Sequence, residues 1–254
     1  IRPMTQQTLT RLRNLKLTGM ADAVQQQLEH ASTYEGLPFI ERLSLLVEHE
    51  QLSREQRKQA RLVKQARLKL QATVQEVDYQ SARNLERSQV ANLAQGEWLR
   101  RGQNLLITGP CGCGKTYLAC ALGYQACQQG HSTRYYRLPR LLLELSQAKV
   151  DGSYARLLGQ LARIELLILD DWGLEAVNAE QRNALLEIMD DRYGKYSTVV
   201  VSQLPTEEWY ASLGDNTLAD AILDRLMHNA HRLSLKGESM RKRRSELTQS
   251  EHSS

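Results

Sequence analysis

Cysteine is missing from most of this chain. All four, Cys111, Cys113, Cys120 and Cys127, fall within seventeen residues, and the rest of the 254 has none. A secreted disulfide framework would scatter them along the fold, so that class is excluded. Long apolar runs are missing too. None approaches the roughly 18 residues of a membrane span, and the N-terminus lacks a signal-peptide core. The protein is therefore expected to be soluble and cytoplasmic, with no membrane partner and with Met4 as its natural start. There is no internal repeat and no low-complexity linker. Charge of one sign is barely in excess, 33 Lys and Arg against 29 Asp and Glu, so its distribution matters more than its sum.

What is present changes character partway along. Residues 4 to about 95 hold one proline and few glycines and are dominated by Leu, Ala, Gln, Glu, Arg and Lys. These are helix formers, and no alternating β-branched run interrupts them. Helices are expected near 5–14, 18–31, 38–51, 53–72 and 80–93, broken at Thr18-Gly19 and at Tyr34–Pro38. From about 100, short apolar runs alternate with amphipathic stretches. The expected strands are 104–109, 133–138, 165–171, 197–202 and 231–235, the rhythm of a parallel sheet with crossover helices. The division expected is a helical domain over 4–75, a linker helix over 76–98, an α/β domain over 99–245 and a disordered tail over 246–254.

Gly109-Pro110-Cys111-Gly112-Cys113-Gly114-Lys115-Thr116 fits G-x-x-x-x-G-K-[ST] at every fixed position. An apolar strand enters it and an amphipathic helix leaves it. Glycines let backbone N–H groups turn inward around phosphates, and the helix N-terminus adds partial positive charge. The ammonium of Lys115 would reach the β/γ oxygens, the hydroxyl of Thr116 would ligate Mg²⁺, and Tyr117 completes the nucleotide-contacting stretch. The rival reading, a Cys-x-Cys metal site, has no His at zinc-finger spacing to support it. Cys120 and Cys127 read as small buried residues of the following helix.

A second element strengthens the first. Leu166-Leu167-Ile168-Leu169 is a strand apolar enough for burial on both faces, and it delivers Asp170 and Asp171 at its C-terminal end. Asp170 would hold Mg²⁺ and Asp171 would polarise the attacking water; alone, the pair could equally be a solvated acidic turn. Ser202 and Gln203 end the next strand, either to align that water or as an ordinary polar strand end. Arg225 lies off the buried stripe of its helix, either solvated or reaching a neighbouring subunit's nucleotide.

Residues 52–70 carry the most one-sided charge. At about 100° per residue, Arg54, Arg57, Lys58, Arg61, Lys64 and Lys69 share one flank, while Leu52, Val63, Ala66 and Leu70 share the other. Glu55 is the only acid there. A solvated face mixes signs, so this stripe reads as a surface for DNA phosphates, positioning without base readout. Arg137, Arg140 and Lys149 would add contacts, and the basic run 240–245 is either a third contact or a frayed tail.

Taken together, "GPCGCGKTYLACALG", "LLILDDWG", "TVVVSQLP", "DAILDRL" and "GESMRKRR" resemble the IstB/DnaC branch of AAA+ ATPases, and within it the IstB-like helpers of insertion-sequence transposition. The likeness extends to "LKLTGMADAVQQQL" and "FIERLSLLVEHE" and so covers nearly the whole chain. It implies a P-loop sheet behind a small all-helical domain, ATP with Mg²⁺, and homo-oligomers on duplex DNA that recruit and stimulate a transposase. By that match Asp170 is the metal aspartate, Asp171 the catalytic acid, Ser202-Gln203 the first sensor and Arg225 a finger acting in trans. Three departures stand out. Asp171 replaces the more usual glutamate, Gln203 replaces asparagine, and only 29 residues follow Arg225, too few for the helical lid of many relatives. Arg241 is left as a reduced second sensor or part of the basic tail. The competing functions are a helicase loader on single-stranded DNA, a small-molecule kinase and a non-hydrolysing ATP-gated DNA scaffold.

Overall fold

The computed structural model describes residues 3–79, 84–214 and 216–236. Arg241, the basic run 240–245 and the tail 246–254 lie outside the described residues. The chain divides into two compact units, Ile1–Arg61 and Leu62–Ser254, so the division falls earlier than residue 75.

The first unit is helical throughout its described length. It contains α1 (Pro3–Asn14), α2 (Thr18–Glu29), α3 (Ala31–Tyr34) and most of α4 (Phe39–Ala66). Gly19, expected to break the chain, lies buried inside α2, where a Cβ would meet Ser53 Cβ at 2.7 Å. Its role is close approach of two helices. The helices expected over 38–51 and 53–72 are one: α4 runs for 28 residues. Leu52-Ser53 contains neither glycine nor proline, so nothing interrupts the backbone ladder. The helix stops at Ala66, after which Arg67 takes φ 47°. Arg134 covers that end, donating from Nη1 to the Gln65 carbonyl at 3.4 Å.

In the second unit the expected linker helix resolves into two short ones, α5 (Arg87–Ala94) and α6 (Glu97–Arg100), parted by Gly96 at φ 81°. The strands are β1 (Leu105–Thr108), β2 (Thr133–Arg137), β3 (Leu166–Trp172), β4 (Ser197–Ser202) and β5 (His231–Ser234). They form one sheet in the order β2-β3-β4-β1-β5, and every pairing is parallel. Between them lie α7 (Lys115–Gln128), α8 (Leu138–Asp151), α9 (Tyr154–Arg163), α10 (Ala179–Arg192), α11 (Trp209–Leu213) and α12 (Asn216–Met227).

Strand alternation divides the apolar side chains between two layers. Leu105, Ile107, Leu166, Ile168, Val199 and Val201 face α7 and the α5–α6 segment. Leu106, Leu167, Leu169 and Val200 face α8, α10 and α12. A parallel sheet covered on both faces needs such continuous apolar runs, which is why these strands were visible in the sequence. β1 adjoins β4 on one side and β5 on the other, so the crevice at their carboxyl ends is where such a sheet binds a ligand. Among the described residues, no helix is long and apolar enough to cross a membrane.

Candidate nucleotide-binding site

The glycine-rich loop leaves β1 and turns into α7. Gly114 caps the helix at φ 90°, in the left-handed region that favours glycine. A Cβ on Gly109 would meet the Leu235 carbonyl oxygen at 2.6 Å. Cys113 is buried beneath the loop while Cys111 is exposed. Cys120 and Cys127 are fully buried on α7, and burial pushes both thiols up. They are inert packing residues. Lys115 Nζ donates to the Pro110 carbonyl at 2.8 Å and lies 3.8 Å from Cys113 Sγ.

The loop and β3 meet through a side-chain bond. Thr116 Oγ1 donates to Asp170 Oδ2 at 2.9 Å, across 54 residues of sequence. Asp170 is 3% exposed, so its lone pairs need partners. Tyr135 on β2 donates to the same Oδ2 at 2.5 Å, and the Asp171 N–H donates to Oδ1 at 2.8 Å. Burial and the neighbouring Asp170 carboxylate both push the Tyr135 phenol up, keeping it a proton donor.

Asp171 has φ 60°, uncommon for a residue with a side chain. Its Oδ2 accepts from Arg137 Nε at 2.7 Å, and that hydrogen bond holds the guanidinium above the ordinary arginine range. Arg137, expected on a DNA-binding surface, thus sits at the acidic pair. β2 neighbours β3 in the sheet, so alternate residues Tyr135 and Arg137 face the two acids in turn.

A cleft of about 580 Å³ joins these parts. Gly112, Gly114, Lys115, Thr116 and Tyr117 line one wall, and Asp170, Asp171, Ser202 and Gln203 line another. Ser202 is buried and committed: its Oγ donates to the Trp172 carbonyl at 2.6 Å and accepts from the Leu204 N–H at 3.0 Å. Gln203 is the exposed side chain of the two. The far end is closed by Lys69, Leu70, Glu76 and Asp78, a wall no motif announced, and Tyr117 donates to Glu76 Oε2 at 3.4 Å. Lys69 follows the end of α4 and so leaves the basic stripe for this cleft.

The remaining cations are placed as follows. Arg54 Nε and Arg57 Nη2 approach Glu50 Oε1 at 3.0 and 3.7 Å, so two members of the stripe share a carboxylate. Lys58, Arg61 and Lys64 are exposed, with no ion pair among the described residues. On the opposite flank Ala66 is buried, Val63 is half-buried, and Leu52 and Leu70 are exposed. Arg140 is exposed. Lys149 lies over the Tyr154 ring at 4.8 Å and 3.9 Å from Glu180. Arg225 pairs with Asp190 of α10.

A parallel sheet in this order, with a glycine-rich loop after β1 and an acidic pair near the C-terminal end of β3, defines a P-loop nucleotide-binding protein of the AAA+ class. The chain belongs to the IstB-like ATP binding protein family, whose model matches residues 10–248. It is 48% identical over 235 residues to the insertion sequence ATP-binding protein y4pL of Sinorhizobium fredii, covering 92% of this chain and 96% of that one. In fold it is similar to DnaI, with a TM-score of 0.58 at 22% identity over 65% of this chain and 92% of that one. It is also similar to the DnaC helicase loader, with a TM-score of 0.55 at 19% identity over 65% and 97%. The family is one of ATP-binding proteins, and the cleft beside the glycine-rich loop is the candidate nucleotide site.

Proposed function

We propose that this chain is a DNA-stimulated ATPase that assembles on target duplex DNA and presents it to the transposase of its insertion element. The observation that carries the catalytic half is the Thr116–Asp170 hydrogen bond at the mouth of the phosphate loop. It brings an all-oxygen donor pair, a hydroxyl and a buried carboxylate, to the place where a β/γ-phosphate would lie, and such a pair suits Mg²⁺. Thr116 and Asp170 would hold that ion, which when bound neutralises charge developing on the phosphates.

The chain's own groups supply the rest. Lys115 exchanges the Pro110 carbonyl for phosphate oxygens. Asp171 orients the attacking water, with Gln203 alongside it at the tip of β4, and Arg225 reaches the nucleotide of an adjacent subunit. ATP thus becomes part of the contact between subunits, and hydrolysis loosens it. Lys58, Arg61 and Lys64, with Arg54 and Arg57 beside Glu50, array cations along DNA, where many modest phosphate contacts offset the cost of bending it.

The test is assembly. With a slowly hydrolysed ATP analogue, the protein should form large particles on duplex DNA, and Arg225→Ala should bind ATP yet lose both assembly and turnover. Equal retention of duplex, in equally small particles, with and without nucleotide would overturn the proposal. The fold likeness to a helicase loader supports a second reading. Stronger retention of single strands than of duplex at matched salt would favour it.

A further inference from the structure

α10 ends in Asp190-Asp191-Arg192, a run to which neither the nucleotide site nor the basic helix assigns a role. Arg192 is 1% exposed and, among the described residues, has no carboxylate partner. Its Nε donates to Thr198 Oγ1 at 3.0 Å, Nη1 to the Leu161 carbonyl at 2.7 Å and to the Ile164 carbonyl, and Nη2 to the Ser197 carbonyl at 2.6 Å. Burial draws its pKa down to about 9, so at neutral pH it is a buried cation solvated by these four oxygens. They come from α9, the residue following it and β4, and they pin the last turn of α10 against the sheet.

Two residues earlier the helix has turned by about 200°, so Asp190 stands away from that anchor. There it receives the Arg225 Nε. Arg225 Nη1 also donates to the carbonyl of Ala221, one turn back on α12, at 3.0 Å. These two bonds leave three N–H groups of the guanidinium unbonded among the described residues, on a side chain one third exposed. The planar fork is held at its base and open at its outer edge, the edge that binds phosphate in bidentate fashion.

We propose that Asp190 is a positioning residue for Arg225, fixing the guanidinium so that its open edge meets the triphosphate of a neighbouring subunit. The inference rests on the reading of Arg225 as acting in trans. An arginine side chain loses rotamer entropy when it is immobilised. Asp190 and the Ala221 carbonyl impose that loss before subunits meet, so contact energy goes to the transition state instead of to ordering the finger. Arg192 sets the height of the platform, and Asp190 sets the angle of what stands on it.

Subunit mixing tests this, with full-length variants hydrolysing ATP on duplex DNA. Asp190→Ala should lower kcat about tenfold, with KM for ATP within about twofold, because the positioned guanidinium acts chiefly on the transition state. Asp190→Asn retains an oxygen for the Arg225 Nε–H and should keep most of the rate. Lys115→Ala subunits bind no ATP themselves but carry an intact Asp190–Arg225 pair. Adding them to Asp190→Ala subunits should raise the rate severalfold, which repair of a folding defect would not do. Mixing Lys115→Ala with Arg225→Ala examines the underlying reading. Recovery there, with none in the Asp190 mixture, overturns the role of Asp190 alone. Recovery in neither overturns action in trans and this inference with it. An unchanged or raised kcat in Asp190→Ala also overturns it.

Discussion

The cleft at the glycine-rich loop and the basic flank of α4 both carry charged side chains, yet these are held in different ways. In the cleft the central charges have fixed neighbours. Asp170 accepts from three donors, Asp171 from Arg137, and Lys115 gives to Pro110. On α4, Lys58, Arg61 and Lys64 stand in solvent with no ion pair among the described residues. The cleft is preorganised, as a site that stabilises developing charge has to be. The flank is a field of interchangeable cations, sufficient for phosphates that are regular in spacing and carry no sequence message. One region should fail through single residues and the other only through several at once.

The largest effect is expected where a preorganised charge is buried deepest. Arg192→Ala strips partners from four oxygens, three of them in buried hydrogen bonds, and each orphaned acceptor costs roughly 1–3 kcal/mol before water or repacking relieves it. We expect a loss of at least 3 kcal/mol in urea unfolding of the full chain, on the scale of removing a partner from a buried charged pair. A loss under about 0.5 kcal/mol, the size expected of a surface residue, would mean that a buried charge with fixed partners is no more critical here than an exposed one.

The flank should respond in the opposite style. Lys58→Ala, Arg61→Ala or Lys64→Ala alone should weaken duplex binding only a few-fold, while the triple variant should flatten the dependence of log K on log salt by about 3, one counterion per lost phosphate contact. ATP affinity should not move. A single substitution that abolished DNA binding would show that the flank, too, is a specified site.

The sequence was informative where the physics is local. A phosphate loop is eight consecutive residues whose backbone makes the site, and a strand buried on both faces declares itself as an unbroken apolar run, so β1, β3, β4 and the acids near the end of β3 are all legible. Charge pairing is tertiary and was not. The sequence groups Arg137 with the DNA contacts because nothing in it says that β2 lies beside β3, the neighbour that brings Arg137 to Asp171. Tyr135 escaped for the same reason. Helical periodicity continued past Ala66 places Lys69 in the stripe, but the helix ends at Ala66, where Arg67 takes a positive φ. The Glu50 pairing was within reach. Arg54 and Arg57 follow it by four and seven residues on one helix, but a break assumed near residue 52 hid the relation.

That acid supplies the smallest effect and the finest test, because it is a buried, preorganised charge in the helical unit. Glu50 is 6% exposed. Burial alone would raise its carboxyl, but the Met20 N–H at 2.8 Å and the guanidinium groups of Arg54 and Arg57 outweigh it, and the net shift is downward. A carboxylate whose pKa is depressed on folding contributes stability above its unfolded pKa and loses it as pH falls through the folded one. The start of α2, whose Met20 N–H it accepts, should therefore lose hydrogen-exchange protection below about pH 4.3, the unperturbed glutamate value, once intrinsic rates are corrected. β3, buried in the other unit, should keep its protection over the same step. In Glu50→Gln the acceptor remains but the titration does not, so the pH dependence at Met20 should vanish while modest protection persists. Arg54 and Arg57, released from their shared partner, should then bind duplex slightly more tightly and add to the salt slope. If the slope in Glu50→Gln is unchanged, those two arginines never reach phosphate, and the DNA-binding flank of α4 reduces to Lys58, Arg61 and Lys64.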